Sequence, residues 1–71
     1  MNLLKSERLK HNETQEDIAS LIGVTQSVYS RYESEEIDIS TNNVITLADH
    51  WNVTTDYLLG RESENNQDPQ S

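Results

Sequence analysis

From Thr14 to Glu33 the chain reads TQEDIASLIGVTQSVYSRYE, two short helical periods separated by a glycine, and no other stretch limits the fold so tightly. Thr14 stands where a hydroxyl caps a helix, and Asp17 is placed to close a capping box. Ile18, Ala19 and Ile22 then fall on one face and are expected in the core. Gly23 supplies a left-handed stop. Thr25 caps the next helix, which runs to about Glu33.

The rest of residues 1–60 keeps the same spacing, and no segment alternates with period two for long enough to make a strand. The spacing predicts an all-α fold of five short helices. The first runs from about Asn2 to His11 and buries Leu4 and Leu9. The second and third are those just described. After the loop SEEIDIS, Ser40 or Thr41 caps a fourth, where Val44, Leu47, Ala48 and Trp51 recur at helical intervals and Asn52 ends the run. Thr54 starts a last helix, TTDYLLG, closed by Gly60. The chain of 71 residues suffices for one domain, in which roughly 60% of the unfolded surface becomes buried. Cysteine is absent, so no disulfide or thiolate site staples the fold. Beyond Gly60, RESENNQDPQS holds the single proline and no apolar residue, and it cannot offset ordering entropy by burial. Residues 61–71 are expected to form a disordered acidic tail behind a domain over residues 1–60. Charges interrupt the leucines of MNLLKSERLK, leaving no signal-peptide core and no bilayer span, so a soluble cytoplasmic protein is expected with no membrane partner.

At about 100° per residue, Gln26, Ser27, Ser30 and Arg31 share one arc of the third helix, while Val28, Tyr29 and Tyr32 share the other. One arc is core and the other carries only hydrogen-bonding side chains. Gln pairs with adenine through two bonds, Arg with guanine, and Ser or Thr with either, so the polar arc is equipped for the major groove. A solvated face has the same pattern. A small residue in the second helix, a glycine at the bend and apolar neighbours are what a helix-turn-helix requires, and Ala19, Gly23, Val24 and Ile18 supply them.

On these residues, together with LKSERLK, LADHWNV and TDYLLGR, the sequence resembles the Cro/repressor-type, or XRE-family, helix-turn-helix domain over residues 3–61. The last two fragments look like small regulators of low-GC Gram-positive bacteria and their phages. The resemblance implies a compact lambda-repressor-like domain and a repressor or Cro-like regulator that binds a double-stranded DNA operator. It implies that Gln15 holds a phosphate and braces Gln26, that Gln26 reads an adenine, that Ser27 also contacts bases, and that Arg31 contacts a base or a phosphate. Thr25 and Ser30 are further DNA-binding candidates. It also implies a buried ion pair between Arg8 and Glu33. That pair would leave Lys5, Lys10, Arg31 and Arg61 as cations for DNA.

Two departures stand out. HNETQ replaces the KGLTQ of many relatives, with Asn12 able to take the left-handed turn. YESEEIDIS replaces YENGK, so Glu35, Glu36 and Asp38 are expected beside the phosphates, where they weaken binding and flatten its salt dependence; a solvated acidic loop with no part in binding has the same composition. The chain as a whole carries 13 acids against five bases, net −8. Related proteins occupy two half-sites roughly 34 Å apart, and a homodimer through Val53, Tyr57 and Leu58 of the last helix is expected, although closure of the monomer core accounts for the same residues. An alternative of a different class is a protein-binding member of the fold, an antitoxin, antirepressor or partner-dependent regulator, whose acidity suits a basic protein partner. An enzyme is disfavoured: His11 and His50 are isolated in the sequence, without spaced ligands or a paired acid, and no cofactor or metal is expected.

Overall fold

Hydroxyl groups start four of the five helices. The computed structural model describes residues 1–61; the expected tail, from Glu62 onward, lies outside the described residues. Helix α1 spans Leu4–Lys10, α2 Gln15–Ile22, α3 Gln26–Ser34, α4 Thr41–Trp51 and α5 Thr55–Leu58, with no strand among the described residues. Thr14, Thr25, Ser40 and Thr54 are extended at the backbone and accept from the amides of Asp17 (3.0 Å), Val28 (3.2 Å), Asn43 (3.2 Å) and Tyr57 (3.0 Å). Each bond satisfies an amide that the first turn leaves without an internal partner. Asp17 completes the capping box by accepting from the Thr14 amide at 3.0 Å, and that bond holds its carboxyl below the usual aspartate value. Of the two caps open to α4, Ser40 is the one used.

A second device ends the helices. Asn12, Gly23, Glu35, Asn52 and Gly60 lie at φ of 57°, 74°, 68°, 59° and 75°. The residue after each folds back to donate to a carbonyl near the helix end: Glu13 to Arg8 (3.1 Å), Val24 to Ala19 (3.0 Å), Glu36 to Arg31 (3.0 Å), Val53 to Ala48 (2.9 Å) and Arg61 to Asp56 (2.9 Å). This is the Schellman arrangement, repeated at all five described helices. Gly60 has a second reason to be glycine, because a Cβ there would stand 1.8 Å from the Met1 carbonyl oxygen.

Leu4, Ile18, Ala19, Tyr29, Tyr32, Val44, Leu47, Ala48, Trp51 and Leu58 form one buried cluster drawn from every helix. Tyr29 and Tyr32 meet edge to face with ring centres 6.3 Å apart, a favoured aromatic geometry. Ile22 and Val28, expected inside, are half-buried at the margin of this cluster.

Two expectations are corrected. Leu9 is 55% exposed rather than buried. Leu4 sets the inner face of α1, and at about 100° per residue Leu9 points well off that face, whereas Glu7 and Arg8 lie one turn from Leu4 and are buried. The buried carboxylate of Glu7 is satisfied by the Tyr57 hydroxyl (2.9 Å) and the Lys10 ammonium (3.3 Å). Leu58 is 0% exposed, its carbonyl accepting from the Leu3 amide at 2.8 Å. It belongs to the monomer core and offers no surface to a second copy; Val53 and Tyr57 are half-buried. No helix among the described residues is long and apolar enough to cross a membrane.

Candidate nucleic-acid interface

Helix α3 buries Tyr29 and Tyr32 and thereby turns Gln26, Ser27 and Arg31 outward, all three exposed. Ser30 is half-buried at the edge of that arc, and Thr25 is exposed with its hydroxyl oxygen engaged in the cap. The Gly23 turn brings the first residue of α2 against the first residue of α3. Gln26 Nε2 donates to Gln15 Oε1 at 2.6 Å, and Gln15 Nε2 donates to Glu33 Oε1 at 3.0 Å. Glu33 in turn receives Arg8 Nε on Oε2 at 2.7 Å and Arg8 Nη2 on Oε1 at 3.3 Å. The two charged side chains are only 10% and 5% exposed, so the expected Arg8–Glu33 pair is present and buried. Arg8 also donates through Nη1 to the Glu13 carbonyl at 2.9 Å, which ties the α1–α2 connection to the same point.

Burial pushes the Glu33 carboxyl up, but the hydrogen bonds from Arg8 and Gln15, with the guanidinium charge, hold it below the usual glutamate value. The hydrogen bond to Glu33 raises the Arg8 pKa. Both groups are therefore charged at neutral pH. The Tyr29 hydroxyl lies in the field of this pair without a hydrogen bond of good geometry, and burial keeps it protonated. Gln15 and Gln26 share a shallow depression with Leu9, Asn12, Thr14 and Glu16, so the exposed Leu9 borders the polar site.

Two of the candidate cations are already paired. Arg31 pairs with Glu36 at 3.5 Å, and the two side chains are 57% and 68% exposed. Lys10 is held by Glu7 and by the Tyr57 hydroxyl at 3.2 Å. Lys5 and Arg61 form no ion pair among the described residues. The acidic loop is also partly engaged: Glu35 Oε2 accepts from the Asn2 amide at 2.8 Å, while Asn2 Nδ2 donates to the Tyr32 carbonyl at 2.8 Å. Glu35 and Glu36 thus turn to the amino-terminal segment and to Arg31. The signal for the second contact was in the sequence: a Schellman end folds the residue after the left-handed position back over the last turn, which sets Glu36 beside Arg31.

Sequence spacing also hid a second cluster. His11 and His50, isolated along the chain, come together at Trp51, with the His11 ring stacked at 6.3 Å and His50 Nε2 placed 2.6 Å from Glu13 Oε2. Trp51 Nε1 donates to Glu13 Oε1 at 2.7 Å. Burial pushes Glu13 up, and the bonds from Trp51 and His50 more than reverse it. Among the described residues no group of three or more His, Cys, Asp or Glu side chains could hold a metal. The cluster clamps the α1–α2 connection to the end of α4.

The family model described as helix-turn-helix matches residues 4–58. The HTH-type transcriptional regulator ImmR of Bacillus subtilis is 36% identical over 59 residues, 83% of this chain and 46% of that protein. The HTH-type transcriptional regulator AnsR of the same organism is 38% identical over 73 aligned positions, 100% of this chain and 63% of that protein. The chain thus spans about half to three-fifths of the length of the curated relatives it matches. A transcriptional regulator from Listeria innocua superposes with a TM-score of 0.78 at 26% identity, covering 92% of this chain and 61% of that one. The P22 c2 repressor, solved with a synthetic operator, superposes with a TM-score of 0.73 over 82% of this chain and 88% of that one, and at 24% identity it speaks to the fold alone. By its sequence match and its five-helix architecture, the chain belongs to the helix-turn-helix family in its Cro/repressor, or XRE, form.

Proposed function

We propose that the chain is a DNA-binding transcriptional regulator of the repressor or Cro type, acting in the cytoplasm without catalysis or cofactor, and that α3 lies in the major groove of an operator. In this reading Gln26 and Ser27 read base edges and Arg31 contacts a base or a phosphate. Gln15 touches the backbone from the start of α2, and Thr25 and Ser30 border the contact. The observation that carries it is the bond from Gln26 to Gln15 across the turn, 2.6 Å, which pre-sets an exposed side chain at the start of α3. An exposed glutamine on a merely solvated face has no reason to be braced. Two copies on half-sites roughly 34 Å apart fit the short reach of one such domain, with Val53 and Tyr57 rather than Leu58 at the seam.

The test is fluorescence anisotropy at low salt, using duplexes selected from a random pool and the DNA upstream of the gene. Gln26→Ala should cost roughly 1–3 kcal/mol on the selected duplex and little on random DNA. Equal losses on both would remove Gln26 from base reading. A second reading, binding to a basic protein, draws support from the carboxylates already paired with Arg31 and Lys10. Absence of any selected sequence at low salt would favour it.

A further inference from the structure

Gln26 is not free to choose which way its amide faces. Glu33, ionised and buried, offers only acceptors. Gln15 must therefore present its NH2 group to Glu33, since the reversed amide would place a carbonyl oxygen against a carboxylate oxygen at 3.0 Å. That choice leaves Gln15 Oε1 facing α3. It is an acceptor in turn, so Gln26 must present its own NH2 group, as it does at 2.6 Å.

We infer that Glu33 acts as a positioning residue for DNA reading: through Gln15 it fixes the polarity of the Gln26 amide, leaving one N–H donor and the Oε1 acceptor for a base. That edge matches adenine, which offers the N7 acceptor and the N6 donor. A reversed Gln26 would turn its oxygen to Gln15 and project two donors, which suits the N7 and O6 acceptors of guanine instead. The buried ion pair with Arg8 thus keeps a negative charge in place, and that charge selects between two purines from two side chains away. The base preference rests on the DNA-binding reading; the relay itself does not.

The two can be tested separately. In the free protein, the nitrogen-15-labelled side-chain amide of Gln26 reports on the relay by NMR. Gln15→Met leaves the Arg8–Glu33 pair intact and should move the Gln26 amide protons toward the values of an exposed glutamine. Glu33→Gln should shift the same resonances although Glu33 does not touch Gln26, and that shift should vanish in the Gln15→Met background. Unmoved Gln26 resonances in Gln15→Met, or a Glu33→Gln shift that persists without Gln15, would overturn the relay. If Glu33→Gln fails to fold, Glu33→Asp takes its place, keeping a charge for Arg8 while drawing it back from Gln15, with the same Gln26 shift expected and the same loss of that shift in the Gln15→Met background. With DNA, the readout is the ratio of affinities for duplexes carrying adenine or guanine at the Gln26 position, in which any lost phosphate contact cancels. That ratio should fall roughly tenfold or more in Gln15→Met. An unchanged ratio would overturn the specificity role, whereas absence of all DNA binding with the NMR coupling intact would refute the proposed function and leave the relay standing.

Discussion

Single residues carry unusual weight in a domain with ten side chains in its apolar cluster. Arg8 is the clearest case, holding Glu33 with two bonds and the Glu13 carbonyl with a third. Arg8→Ala strands a buried carboxylate and should cost roughly 3–5 kcal/mol, a large share of the stability of a small domain. Thermal melts of the two proteins that coincide would show the pair to be dispensable. Acid should expose the same dependence. Glu13 and Glu33 both sit below the ordinary glutamate value of 4.5, so each contributes stability that is complete above that value. It is lost as pH falls through the depressed folded values, because the unfolded state binds the proton first. The melting temperature should therefore fall on acidification below about 4.5, and Glu13→Gln should flatten part of the decline. Trp51, the single tryptophan, donates to Glu13 and should report the local step by fluorescence. Acid profiles that superimpose for Glu13→Gln and the parent would remove Glu13 from the effect.

At the level of elements, the helix starts and ends were written in the sequence because they are local. Thr14 with Asp17, Thr25 and Thr54 each need only a neighbour's amide, and Gly23 needs only its own backbone. The face of α1 was not legible. Burial there depends on partners distant in the chain, so Glu7 and Arg8 go inside because Tyr57 and Glu33 wait for them, and Leu9 is left out. The candidate site divides the same way: the outward arc of α3 follows from periodicity, while the link from Gln15 to Glu33 needs the turn to be folded. The repeated left-handed ends carry a prediction of their own. No atom lies within 4 Å of a Cβ at Gly23. Gly23→Ala should therefore lose only the backbone term of about 1–2 kcal/mol, measured by urea denaturation. A loss beyond that would mean that the α2–α3 packing shifts.

For the molecule as a whole, the proposed function turns on how a chain of net −8 would meet a polyanion. Local sign matters more than the total, and on the outward arc of α3 the local charge is Arg31, partly cancelled by Glu36 at 3.5 Å. Glu36→Lys releases Arg31 and adds a cation, so binding to selected and random duplexes should rise together. The salt dependence should steepen by about 0.9 in logarithmic slope for each phosphate newly neutralised. Base preference should stay where it was. Salt titrations of both duplexes check this, and an unchanged slope would place the loop away from the backbone. Next to Glu36, Glu35 holds the left-handed end of α3 at φ 68°, a conformation that glycine takes freely. Glutamate and glycine codons differ at one nucleotide. A single transition at this position would relax the backbone and remove a negative charge from the same corner, while giving up the bond that Glu35 accepts from the Asn2 amide, so backbone ease and the hold on the amino-terminal segment are set against each other at one residue.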